Sequence, residues 1–273
     1  MKQRTVIEAN APNANYWKDL WSYRGLFYFL AWRDILVRYK QTAIGIAWSV
    51  IRPLLTLIVF TVVFGKLAKF PSHGVPYVLL VYSALLPWQF FSTAFSEASN
   101  SLIANSNILS KVYFPRIIVP ISTIIVSLID FFISLVLLVF IMLWYDFVPQ
   151  WQIVLLPLFL LFSILISMGF GLLIASLNVK YRDFRFIVPF VVQLGLYISP
   201  VGFSSGIVPE KWKMIYSLNP MVGVIDGFRW CILGGESQIY MPGFLISIAI
   251  TILFLILGVM YFRKTERTFA DDI

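Results

Sequence analysis

IIVPISTIIVSLIDFFISLVLLVFIMLW, from Ile117 to Trp144, holds one charge, Asp130, in an otherwise apolar and hydroxyl-bearing run. A helix of this length covers about 40 Å, more than the roughly 30 Å of a bilayer's hydrocarbon core. Backbone amides in lipid must be satisfied inside the protein, so a run of this length reads as a helix. A barrel strand would be shorter and would alternate polar with apolar residues. Five further runs share the character: Ala43 to Phe64, Val75 to Phe95, Ile153 to Leu177, Phe186 to Phe203 and Phe244 to Phe262. The expected fold is an all-α integral membrane protein with six spans.

Composition agrees. Of 273 residues, 60% are hydrophobic and 12% charged, which would leave a soluble domain little surface to offer water. The net charge of +8 is asymmetrically placed, and that argues for membrane orientation rather than nucleic acid. Lys2, Arg4, Lys18, Arg24, Arg33, Arg38, Lys40 and Arg52 lie before or just inside the first run. Lys111, Arg116, Lys180, Arg182, Arg185, Arg263, Lys264 and Arg267 share their side, whereas Lys66, Lys69, Lys211, Lys213 and Arg229 fall on the other. The positive-inside rule puts both termini in the cytoplasm. The first fifteen residues lack the apolar core of a secretory signal, so the chain is expected to enter the membrane by its first span. One cysteine, Cys231, and one histidine, His73, leave neither a disulfide nor a metal cage to be built.

Outside the spans, Tyr16 to Arg38 alternates aromatic and charged residues, with Trp17, Trp21, Tyr28 and Trp32 at helical spacing and Gly25 as a break. It reads as an amphipathic helix in the headgroup layer. Residues 204–242 are too polar to span; Asn219-Pro220 starts a short helix that Gly234-Gly235 ends, a re-entrant pair on the external side. Within it Asp226 and Arg229 stand at i and i+3, where they can pair. Asn100 to Arg116 reads as a short amphipathic helix across the membrane surface, able to meet a soluble partner. Ser163, Ser167, Gly171 and Ala175 form a small-residue stripe that permits close helix approach, within one subunit or between two. Asp130 would cost about 2.5 to 3.5 kcal/mol at the centre of a lone helix, so it should face protein or water.

Four stretches carry a resemblance: RDILVRYKQTAIGIAWSVIRPLLTLIVFTVVFG from Arg33, NILSKVYFPRIIVP from Asn107, LNVKYRDFRFIVPFVVQLGLYISPVGF from Leu177, and VPEKWKMIYSLNPMVGVIDGFRW from Val208. Together they resemble the permease subunit of ABC-2 type polysaccharide exporters, the O-antigen, capsule and teichoic-acid export family. The resemblance implies a homodimer in the bacterial inner membrane, driven by two copies of a separate ATP-binding cassette subunit, on which ATP and Mg would be held. It implies transport of a lipid-linked polysaccharide from the cytoplasmic to the external side, with no cofactor and no catalytic site in this chain. No phosphate-binding loop occurs here: the one Gly-Lys pair, Gly65-Lys66, is followed by Leu67.

Under that resemblance residues 1–42 form the cytoplasmic segment and interface helix, 43–262 the transmembrane domain and 263–273 a cytoplasmic tail. The loop 100–116 becomes the coupling element, with Asn105, Asn107, Ile108, Leu109, Lys111, Tyr113, Phe114, Pro115 and Arg116 expected to meet the ATPase. A pyrophosphate at the headgroup level would suit Arg33, Arg38, Lys40 and Arg52, because arginine forks match phosphate oxygens bidentately; such cations also anchor orientation and bind anionic membrane lipids. Sugar rings sliding through a channel would suit Phe60, Phe64, Tyr77, Tyr82, Trp88, Phe90 and Phe91, aromatics that otherwise serve as membrane belts. Asn219, Pro220, Asp226 and Arg229 are external gate candidates. An ion-coupled secondary transporter is the alternative reading of Asp130, and a membrane enzyme acting on lipid phosphates a further one. The first needs an inverted repeat and the second clustered acid–base groups, neither of which the sequence displays.

Overall fold

A computed structural model describes residues 16–40, 47–72, 74–181, 183–234, 239–266 and 269, all helix or connecting turn. His73, Arg182, Arg267, the expected start of the first span before Ala47, residues 1–15, 235–238 and the rest of the tail lie outside the described residues, as does the side chain of Trp17. The segment expected to lie at the interface is two helices, α1 (Tyr16–Ser22) and α2 (Arg24–Lys40). Then follow α3 (Ala47–Phe60), extended by a π-helical stretch Thr61–Leu67, and α4 (Tyr77–Ala104). A single turn α5 (Ser106–Leu109) precedes α6 (Ile118–Trp144). The 3₁₀ segment Trp151–Leu155 leads into α7 (Leu156–Lys180), and then come α8 (Phe184–Ile198), α9 (Glu210–Tyr216), α10 (Pro220–Leu233) and α11 (Met241–Thr265).

Five helical stretches, those built on α3, α4, α6, α7 and α11, are long and apolar enough to cross a membrane. The fifth expected span is shorter than its apolar run: α8 stops at Ile198, and Ser199 turns extended before Pro200. Proline disfavours helical backbone in the residue before it, which ends the helix there. Two other boundaries also move. Instead of ending near Phe95, α4 runs on to Ala104, because its serine-rich last turns contain no glycine or proline to stop them. The expected surface helix of the 100–116 loop is therefore reduced to the one turn of α5 followed by turns.

α4 is the central pillar. Of its apolar window 78% is buried, against 17–33% in the other four stretches, and it packs on α6, α7 and α10. The small-residue stripe of α7 serves packing within the subunit: a Cβ added at Gly171 would lie 2.8 Å from that of Ala98 on α4. On the other side of α7 a Cβ at Gly258 of α11 would stand 2.3 Å from the carbonyl oxygen of Gly169. Two glycines thus allow backbone-to-backbone contact where no larger residue fits.

The hydrophobic interior divides in two. A large cluster holds the bundle from Leu57 to Leu233. A smaller one gathers Tyr16, Leu30, Leu109, Phe114, Phe262 and Phe269, and so joins α1, α2, the 105–116 segment and the tail at one end of the bundle.

Candidate functional site

Two cavities lie along one face of α4. The larger, about 480 Å³, opens between the end of α2, α3, α4 and α6, and is lined by Arg38, Arg52, Gln89, Glu97 and Asp130 among others. The second, about 380 Å³, lies between α3, α4 and α8 and shares Thr56, Gln89 and Ser92 with the first. Gln89, Ser92, Thr93, Ser96, Glu97 and Asn100 line one or both. Their spacing of three or four residues is a polar stripe on an otherwise apolar helix, a signal present in the sequence that the expected site residues do not include.

Asp130 is held from three sides. It accepts from Arg38 Nη1 at 2.7 Å, from the Tyr39 hydroxyl at 2.7 Å, and from the Ser49 hydroxyl. Asp130 sits about 18 Å along α6 from Ile118, where the end of α2 meets it. Arg38 Nη2 donates at 2.8 Å to Glu97, so its guanidinium bridges α4 and α6. Arg52 is exposed, lies 5.7 Å over the Trp48 ring, and has no carboxylate within ion-pair reach among the described residues.

The structure thus brings together two of the four cations expected to meet a headgroup. Lys40 is exposed at the end of α2 and lines neither cavity. Arg33 turns to the 105–116 segment, donating to Asp34 at 2.7 and 2.9 Å and to Asn105 Oδ1 at 2.7 Å.

The 105–116 segment has an inner and an outer face. Asn107, Lys111, Val112 and Tyr113 are exposed, Tyr113 by 60%. Leu109 and Phe114 are buried in the smaller cluster, so Phe114 is an anchor of the segment rather than part of its outer surface. Ile108 packs partly against that cluster, and Pro115 is half-buried. Arg116 is fixed by a residue that no sequence pattern singles out. Its amide donates to Glu266 Oε1 at 2.5 Å and its Nη1 to the Glu266 carbonyl at 2.8 Å. The other carboxylate oxygen accepts from the Tyr16 hydroxyl at 2.9 Å, while Arg263 stands 4.6 Å over the Tyr16 ring and Arg116 5.9 Å over Phe269. Burial pushes the Glu266 carboxyl above the ordinary carboxylate range, opposed by the Arg116 amide and the Tyr16 hydroxyl. No local pattern signals this clamp, because its members are 150 and 250 residues apart.

Of the expected channel aromatics, Trp88 lines the smaller cavity and Phe90 the larger. Phe60, Tyr82 and Phe91 are buried in the main core, with the Tyr82 hydroxyl donating to the Ser134 carbonyl at 2.9 Å. Phe64 and Tyr77 pack partly against that core.

At the opposite end Asn219 caps α10, accepting from the Met221 amide at 3.1 Å and donating to Ser199 at 2.8 Å, with Pro220 in the first turn. The expected Asp226–Arg229 ion pair does not form. The fully buried Arg229 guanidinium instead donates to the carbonyls of Leu80 at 3.2 Å, Val201 at 3.1 Å and Phe203 at 2.7 Å. The turn after α8 presents unpaired carbonyls, and these capture the cation. The Tyr77 hydroxyl closes the same turn by donating to the Gly202 carbonyl. Burial pushes the Asp226 carboxyl up to about 6, with the nearby Arg229 charge opposing.

No cluster of metal-ligating side chains occurs among the described residues. The family described as ABC-2 type transporter matches residues 25–233. Among similar proteins, the O-antigen export system permease protein RfbA of Klebsiella pneumoniae is 26% identical over 249 residues, covering 88% of this chain and 91% of its own. RfbA of Myxococcus xanthus is 27% identical over 214 residues, with 78% and 82% covered. The inner membrane transport permease YadH of Escherichia coli (strain K12) is 25% identical over 199 residues, with 68% and 76% covered. The matched stretch runs from the first turn of α2 to the last of α10 and encloses both cavities and the 105–116 segment; this chain belongs to the ABC-2 type transporter family.

Proposed function

We propose that this chain is the permease of an ATP-driven exporter of a lipid-linked polysaccharide, working as a homodimer with two separate ATP-binding cassette subunits in a bacterial inner membrane. In this reading α8 and the turn after it complete a sixth crossing, and both termini face the cytoplasm. α1 and α2 lie along the cytoplasmic interface, where the exposed Trp21, Tyr28 and Trp32 suit a headgroup layer. α9 and α10 form the external re-entrant pair. ATP and Mg belong to the partner subunit.

The observation that carries the reading is the polar cavity in which Arg38 and Arg52 meet beside α3, in a chain whose relatives of nearly equal length are named O-antigen export permeases. A lipid-linked polymer brings a charged pyrophosphate to the membrane surface, an isoprenoid tail that stays in lipid, and hydroxylated rings that follow. Cations at the mouth of a membrane cavity attract the first, and the low-dielectric margin strengthens that attraction relative to water. The polar stripe of α4, with Trp88 and Phe90 beside it, offers hydroxyl, amide and ring contacts to the last.

Energy enters by the outer face of the 105–116 segment. The ATP-binding subunit contacts Asn107, Lys111, Val112 and Tyr113, while Phe114, Arg116 and Glu266 bind the segment to α1 and α11. Motion of the segment is thereby passed to the start of α6 and the end of α11 together.

Deletion of the gene in its own host tests the proposal. The expected phenotype is loss of surface polysaccharide with accumulation of lipid-linked polymer inside the cell, restored by the wild-type gene only when the ATPase partner can hydrolyse ATP. Unchanged surface polysaccharide in the deletion strain would refute it.

A further inference from the structure

The two carboxylates that share Arg38 are not equivalent. Asp130 takes three donors and is three-quarters buried, whereas Glu97 is held by Arg38 Nη2 alone and its side chain is 48% exposed. Asp130 therefore fixes the guanidinium, and Glu97 occupies its outer edge. Across the same cavity Arg52 faces no carboxylate among the described residues. Among the described residues lining the cavity, with Glu97 in place two guanidinium charges are matched by two carboxylates. With Glu97 swung into water, those described groups sum to one positive charge, and Arg38 Nη2 no longer donates to Glu97.

We propose that Glu97 is a place-holding carboxylate: it occupies on Arg38 the position that a phosphate oxygen of the lipid-linked substrate takes, and it leaves when the headgroup enters. The inference rests on the reading that this cavity receives a pyrophosphate headgroup. The exchange is feasible because Glu97, already half in water, loses one bond and no buried environment when it departs. Asp130 stays, so the guanidinium remains aimed at the cavity throughout.

The device also sorts lipids. Attraction to Arg38 and Arg52 scales with the charge of the incoming group. A phosphodiester headgroup with one negative charge exchanges evenly with one carboxylate and gains nothing. A pyrophosphate with two or more gains on exchange, so the abundant membrane phospholipids are kept out by competition from within the protein. At about 480 Å³ the cavity has the size of an ordinary small-ligand pocket, enough for a diphosphate and its first attached ring.

The test uses the complete permease–ATPase complex in nanodiscs of uncharged lipid, with geranylgeranyl pyrophosphate and dioleoyl phosphatidylglycerol as probes. Wild type is expected to bind the pyrophosphate with clear preference. Glu97→Gln should bind both probes more tightly, each by about tenfold, so that the singly charged lipid, which wild type excludes, now binds measurably. Glu97→Asp, which keeps the charge on a shorter arm, should fall between. Arg38→Gln should lose pyrophosphate binding, and adding Glu97→Gln to it should restore nothing. Pyrophosphate binding that is lost in Arg38→Gln but unchanged or weakened in Glu97→Gln would overturn the exchange and leave the headgroup site standing. Absence of saturable pyrophosphate binding in wild type and every variant would overturn the headgroup site and the exchange with it.

Discussion

Replacing Glu266 with alanine should uncouple ATP hydrolysis from transport while leaving the complex assembled. The carboxylate accepts the Arg116 amide at 2.5 Å and the Tyr16 hydroxyl at 2.9 Å, and Tyr16 is only 6% exposed. Taking a donor's acceptor away in such a setting costs about 1–3 kcal/mol, so alanine, which removes the acceptor of two donors, weakens the junction by about 2–6 kcal/mol. The Glu266 carbonyl still accepts Arg116 Nη1 at 2.8 Å, and the Phe114 and Phe269 packing remains, so the segment loosens without unfolding. Every 1.4 kcal/mol is about tenfold in an equilibrium, so the detached form rises by roughly thirtyfold or more. Glu266→Gln keeps one acceptor oxygen and should lie between alanine and wild type. The assay is polymer moved per ATP hydrolysed in proteoliposomes, with ATPase co-purification as the measure of assembly. An unchanged ratio in Glu266→Ala, at equal assembly, would refute the idea that the clamp carries motion from the 105–116 segment to α11.

Tyr113→Ala should weaken association with the ATPase without lowering the melting temperature of the isolated permease, since its ring is 60% exposed. Phe114→Ala, by contrast, removes a buried ring and should destabilise by about 3–5 kcal/mol, read as an early thermal transition of the permease alone. Asp130→Asn should keep ATP-driven transport but loosen Arg38, reducing stimulation of the ATPase by a pyrophosphate lipid; transport that becomes independent of a proton gradient it formerly needed would contradict this. Gly258→Leu should prevent the close approach of α7 and α11 and abolish membrane accumulation of the protein, because even a Cβ there would stand 2.3 Å from the Gly169 carbonyl oxygen.

Span positions were legible because lipid imposes one rule over long windows: the runs ending at Trp144 and beginning near Phe244 agree with α6 and α11 to within a turn. Helix ends were less so. α4 overran because its last turns are polar yet helix-compatible, and hydropathy marks where lipid stops rather than where a helix does. Alternation within the 105–116 segment was also invisible. Tyr113 and Phe114 are neighbouring aromatics of similar size, and only the pocket made by Leu109, Phe262 and Phe269 decides which one turns inward. The polar stripe from Gln89 to Asn100 was readable from its spacing alone, whereas Glu266 lies in a short tail of mixed charge and its partners Tyr16 and Arg116 are 250 and 150 residues away. Asp130 showed that it needed a partner, by the cost of its charge in lipid, but not that Arg38 would supply it from a helix outside the spans.

Transport of a lipid-linked polysaccharide at the expense of ATP bound elsewhere is the activity proposed for this permease. Its most direct test is a proteoliposome carrying the purified permease, its ATP-binding subunit and lipid-linked polymer from the same host, with the appearance of polymer on the far face read by a membrane-impermeant glycosidase. Movement is expected to depend on ATP and on both subunits, and to stop when Arg38 is replaced by glutamine. Movement of polymer by the permease alone under an ion gradient, or vigorous ATP hydrolysis with no polymer crossing, would contradict it.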